Sequence, residues 1–228
     1  MSNWSDTLAV FDLETTGIDV ETSRIVSATV AVIDVSGAVV ERVDWLLDPG
    51  IDIPEQATNV HGITTAQAVA NGRVAGEGVT EIVATIRDLL GRGLPIVAYN
   101  APYDLSLLNR EALRYGVAPL VSPAPVVDPL VIDKQVDRYR KGKRTLEVTS
   151  AYYGVSLDDA HDAGADAIAA GRVAQAIAKA HAAVLPGTVA ELHDLQVQWS
   201  MQQAERFQDY MRRERDPKFV ASGAWPER

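Results

Sequence analysis

None of the 228 residues is cysteine. Structural disulfides, thiolate zinc sites and cysteine nucleophiles are therefore excluded, in keeping with a reducing compartment. Long apolar runs are also lacking. None approaches the length of a membrane span, and the amino-terminal MSNWSDTLAV has neither a basic flank nor a signal-length apolar core. A soluble, cytoplasmic protein without a membrane partner is the expectation. Positive charge is scarce as well: 21 Lys and Arg stand against 31 Asp and Glu, a net charge of −10. That balance argues against a broad, nonspecific phosphate-binding surface, so a polyanion would need a local basic patch. One stretch supplies it. In DRYRKGKR, the cations Arg138, Arg140, Lys141, Lys143 and Arg144 fall within seven residues. Taken alone, such a run reads first as a solvated loop.

What is present reads as one α/β domain with a helical extension. The 47% hydrophobic and 23% charged fractions are ordinary for a globular chain, and the length suffices for one large core. Apolar, β-rich segments near Leu8–Leu13, Ile25–Ile33 and Val39–Leu47 predict three antiparallel strands, the last two joined by the turn DVSGAV. A Pro- and Gly-rich passage, DPGIDIPEQATNVHGIT, follows. Helical spacing over Thr80–Leu90, the short strand GLPIVAYN, helical spacing over Tyr103–Tyr115 and the short strand PVVD then alternate, which predicts a mixed five-stranded sheet flanked by helices. Beyond Thr145 the pattern is helical. Small residues between Ala163 and Val184 suit a helix lying close on the sheet, and Pro186 and Gly187 break it. An amphipathic helix over about Val189–Arg213 carries an apolar stripe of Leu192, Leu195, Trp199, Met201, Ala204, Phe207 and Tyr210, before an irregular GAWPER. The expected division is a domain over 1–185 and an extension over 186–228, packed on the same domain.

Three polar clusters interrupt this apolar pattern. The run TLAVFDLETTG ends by presenting Asp12 and Glu14 on one side of a strand, one pleat step apart. Two carboxylates held that close repel, and they persist where a cation neutralises them. In NAPYDLSLL, Asn100 closes a strand and Asp104 stands in the first turn of a helix, which also suits ordinary turn and helix-dipole roles. In HDAGADA, His161 precedes Asp166 by five positions. With Asp162 capping the helix, Asp166 falls beside Ala163, Ala167 and Ala170, the stripe expected to face the sheet.

In this order the clusters resemble the three exonuclease motifs of the DEDD superfamily, in its histidine-bearing branch. That branch includes the epsilon proofreading subunit of bacterial DNA polymerase III, ribonuclease T and oligoribonuclease. The segments VHGIT, VVDPLVIDK and TLEVTSAYYGVSL extend the likeness over about Thr7 to Ala182. Two positions depart from the pattern: Tyr103 stands where Phe is frequent, and Gly164 where a larger apolar residue is common. The resemblance implies a ribonuclease H-like fold and hydrolysis of nucleic acid from the 3′ end to 5′-mononucleotides. It also implies two divalent cations, Mg²⁺ or Mn²⁺, as suits a donor set of oxygens only. In that scheme Asp12 bridges the metals, Glu14 and Asp166 complete one site, Asp104 holds the other, and His161 is the general base. Thr15, Thr16, Gly17 and His61 are candidates for contact with the terminal nucleotide, with Asn100 and Tyr103 beside them. Arg140 and Lys141 in the basic stretch would track phosphates. Expected partners are single-stranded DNA or 3′ ends of duplex DNA, and a polymerase or repair protein. RNA stays an alternative, because motif spacing does not report recognition of the 2′-hydroxyl.

Overall fold

The computed structural model describes residues 3–157 and 162–228. A long antiparallel meander opens the chain: β1 (Leu8–Thr15), β2 (Ile25–Ile33) and β3 (Val39–Asp48), with Asp12 opposite Thr29 and Thr29 opposite Asp44. Two short helices follow, α1 (Glu55–His61) and α2 (Thr65–Asn71), then the two-residue strand β4 (Arg73–Val74) and α3 (Ala75–Gly91). The chain continues through β5 (Ile96–Val97), α4 (Ala101–Arg114), β6 (Val126–Val127), α5 (Pro129–Val136) and α6 (Leu146–Tyr153). It closes with α7 (Ala163–Ala180) and α8 (Val189–Glu214). The sheet order is β4-β3-β2-β1-β5-β6, with β4, β5 and β6 each parallel to its inner neighbour. The five expected strands are thus joined by β4, too short to leave a period in the sequence.

Strand alternation sorts β1 between two cores. Ala9, Phe11 and Leu13 face α3 and α4 with Val79, Ile82, Leu105 and Leu108. Leu8 and Val10 face α7 with Ala167, Ala170, Val173 and Ile177. The small residues of α7 are a steric requirement. A Cβ at Gly171 would stand 2.4 Å from Val10 Cγ1 and 2.6 Å from Ile33 Cδ1, closer than packed atoms allow. Asp12 and Glu14 continue the row of Leu8 and Val10, so they emerge on the α7 side, where the helix begins.

The stripe on α8 is buried over its first half and exposed over its second. Leu192 is buried, whereas Met201, Phe207 and Tyr210 are about half exposed, Phe207 resting edge-on against Phe219. The irregular tail nevertheless returns to the core, with Trp225 buried and 4.9 Å from the ring of His193. Among the described residues, no helix is long and apolar enough to cross a membrane.

Candidate active site

Three elements converge at the carboxyl end of β1. Asp12 and Glu14 come from the strand itself, Asp104 from the first turn of α4, and Asp166 from the first turn of α7. Asp162 caps α7 by accepting the Ala165 N–H, which sets the helix start and turns Asp166 toward β1. One carboxylate oxygen each from Asp12, Glu14 and Asp166 lies within 4.8 Å of the others. Asp104 is 3% exposed, so the third acid is buried beside the strand pair.

The electrostatics follow from this crowding. Burial pushes Asp12 well above the ordinary carboxylate range, and the charges of Asp104, Glu14, Asp166 and Asp162 push it further. Glu14 is raised to about 8 by burial, then by Asp166 and Asp104. Asp104 is also raised to about 8, chiefly by burial and against its backbone hydrogen bonds. The four charges of the described residues that act most on Asp12 are all negative. A hard divalent cation fits such a donor set: the ligands are all oxygens, and the ion supplies the compensation that the cluster lacks.

Beside the acids is a pocket of about 490 Å³ lined by Leu13, Glu14, Thr15, Thr16, Gly17, Ile18, Pro54, Gln56, Ala57, Val60, His61 and Tyr103. It brings together five of the expected contact residues: Thr15, Thr16, Gly17, His61 and Tyr103. His61 Nδ1 accepts the Ile63 N–H at 3.1 Å, which leaves the proton on Nε2, and burial holds the imidazole below its ordinary pKa. The apolar wall from α1, Pro54, Ala57 and Val60, left no signature in the sequence, because α1 buries no residue and shows no stripe.

Other expected residues lie elsewhere. Asn100 starts α4 in a left-handed conformation (φ 66°) and lines a separate cavity with Pro102, Asp128 and Lys134. Arg140 is turned inward. It pairs with buried Asp133 at 2.5 Å and stacks 3.9 Å from the ring centroid of Tyr152, while Arg144 reaches the same Asp133 oxygen at 2.7 Å. The Arg140 guanidinium thus faces a buried carboxylate, not the open surface. Lys141 is exposed, with Arg138 and Lys143. His161 lies outside the described residues.

A family model described as exonuclease, RNase T, matches residues 9–174. A PolC-type DNA polymerase III from Lacticaseibacillus paracasei is 29% identical over 170 residues, which is 75% of this chain and 11% of that protein. A DNA polymerase III subunit epsilon-like protein from Rhodobacter capsulatus is 31% identical over 167 residues, 72% of this chain and 22% of that one. The chain thus spans about a tenth to a fifth of the length of these relatives. Among solved structures, E. coli exonuclease I in complex with a dA16 oligonucleotide superposes with a TM-score of 0.65 at 20% identity, covering 78% of this chain and 42% of that one. This likeness shows the fold, a ribonuclease H-like mixed sheet.

Proposed function

The chain belongs to the RNase T exonuclease family, and from that premise we propose that it is a divalent-cation-dependent 3′–5′ exonuclease acting on DNA. The observation that carries the reading is the cluster of Asp12, Glu14 and Asp166 with oxygens within 4.8 Å, set beside Asp104 and opening on the pocket at Thr15 to Gly17. In this reading two cations, Mg²⁺ or Mn²⁺, are held by Asp12, Glu14, Asp104 and Asp166. Such ions, when bound, lower the pKa of water and stabilise charge on the leaving oxygen.

The chain's own groups do the rest. The apolar wall of Pro54, Ala57 and Val60 takes a base, while the turn at Thr15 to Gly17 supports the sugar at the 3′ end, with no side chain at Gly17 to hold it off. The Nε2–H of His61 donates toward the nucleotide. His161 is proposed as the general base that removes a proton from the attacking water. Lys141, with Arg138 and Lys143, offers cations to phosphates farther along the strand.

DNA is preferred because the curated relatives are DNA polymerase III proteins and the solved neighbour holds a DNA oligonucleotide. The same relatives support a proposed proofreading or repair role with a polymerase as partner. The test uses matched 5′-labelled single- and double-stranded DNA and RNA with Mg²⁺ or Mn²⁺. The expected result is a ladder shortening from the 3′ end, fastest on DNA, that vanishes with EDTA and in Asp12→Ala. Activity retained by Asp12→Ala, or none on any substrate, would overturn the reading.

A further inference from the structure

We propose that Gln196 of α8, acting through Asp128, is a positioning residue for Asp104; the inference rests on the metal-dependent reading above. Residue 196 lies beyond the segment that the exonuclease model matches, so no role reaches it from the family.

β6 is the last strand, so its outer N–H and C=O groups have no neighbouring strand to pair with and must be satisfied otherwise. Side chains of α8 replace that strand. His193 Nδ1 accepts the Val126 N–H at 3.0 Å, Gln196 Nε2 donates to the Val126 carbonyl at 3.1 Å, and Gln196 Oε1 accepts the Asp128 N–H at 2.7 Å. An amide both donates and accepts, which is what an edge presenting both groups needs. Gln196 is fully buried, so neither backbone group has water as a substitute.

Asp128, itself 1% exposed, passes the constraint on. Its Oδ1 accepts the Asn100 N–H at 3.0 Å and the Leu130 N–H at 2.9 Å, and its Oδ2 accepts the Ala101 N–H at 3.0 Å. These bonds fasten the start of α4 where Asn100 adopts the left-handed conformation, which a residue other than glycine takes only when its surroundings hold it there. Asp104, buried, follows within the first turn. A rigid path therefore runs from α8 through the β6 edge to the α4 acid. Loss of Gln196 leaves the Asp128 backbone free to shift, and the α4 start with it.

The experiment measures Mn²⁺ binding by titration calorimetry on the full-length chain, together with the Mn²⁺ concentration giving half-maximal cleavage of a single-stranded DNA oligonucleotide. The variants are Gln196→Met, near-isosteric without hydrogen bonds, and Asp128→Asn, which removes the acceptor for Ala101. Leu192→Ala is the control, since it removes buried apolar volume from α8 but keeps the Leu192 carbonyl, which accepts the Gln196 Nε2–H at 3.1 Å. Two Mn²⁺ ions are expected on the wild type. Each path variant is expected to weaken one of them about tenfold or more, the scale of losing an outer-shell partner, and to leave the other unchanged. Leu192→Ala is expected to lower thermal stability with binding unchanged. Unchanged Mn²⁺ binding in either folded path variant, or an equal loss in Leu192→Ala, would overturn the inference while leaving the proposed function standing. A wild type that binds no Mn²⁺ would overturn both. Should Gln196→Met not fold, Asp128→Asn decides alone.

Discussion

The hydroxyl of Tyr103 lies 2.6 Å from Oγ1 of Thr15 and donates to the Gly17 carbonyl at 2.5 Å, tying α4 to the turn after β1. A phenylalanine there would fill the same space and leave the turn unfastened. Tyr103→Phe is expected to raise the KM for oligonucleotide by about 3- to 10-fold, the range of one net hydrogen bond, with a smaller change in kcat. Steady-state kinetics check this, and a fall confined to kcat would place the hydroxyl in the chemical step instead.

Removal of metal should make stability depend on pH in a definite direction. Glu14 and Asp104 are each raised to about 8, against ordinary values of 4.5 and 3.8. Between those limits the folded chain binds more protons than the unfolded chain, so stability is present at low pH and lost as pH rises toward 8. Melting temperatures in EDTA should fall from about pH 5 to pH 8, and Mn²⁺ should remove most of that fall by neutralising the site. Parallel curves with and without metal would contradict the assignment.

Asp12→Asn separates activity from stability. Loss of a direct ligand is expected to lower cleavage by more than about 100-fold, beyond the usual cost of an outer-shell partner. The same change removes one of several crowded acids, so the metal-free variant should melt higher than metal-free wild type at pH 8. Calorimetric scans in EDTA measure it.

The basic stretch divides into two kinds of cation. Asp133→Ala leaves Arg140 and Arg144 facing a buried gap and is expected to cost about 3–5 kcal/mol of stability. Lys141→Ala and Lys143→Ala should leave stability unchanged and reduce the salt dependence of DNA binding, by about 0.7 in the log–log slope for each lost phosphate contact. Denaturant titration and binding at several salt concentrations distinguish the two.

Gly171→Ala forces a methyl group against Val10 and Ile33. A loss of about 1–3 kcal/mol is expected from overpacking, measured by urea denaturation.

Periodicity made the long elements legible. β1 to β3 alternate or run apolar over eight residues or more, and α4, α7 and α8 carry recognisable apolar or small-residue faces. α1, within the Pro- and Gly-rich passage, and α2, just after it, left no period because between them only Ala68 is buried. A helix without a buried stripe has no period to read. The capping pair Thr64 and Gln67 was the one local sign of α2.

At the site, the sequence by itself determined the identity of the acids, the strand alternation that sends Asp12 and Glu14 to one face, and the helix start that places Asp166 near the sheet. These are local properties, set by covalent geometry and by capping. Tertiary structure alone decided the distances among Asp12, Glu14 and Asp166, the inward turn of Arg140 to Asp133, and the reach of Gln196 across 68 positions to the Asp128 N–H. The reason is physical. A charge or an amide in a sequence carries no record of its partner, and only the packing of distant elements settles whether it meets solvent, a metal or a buried backbone group.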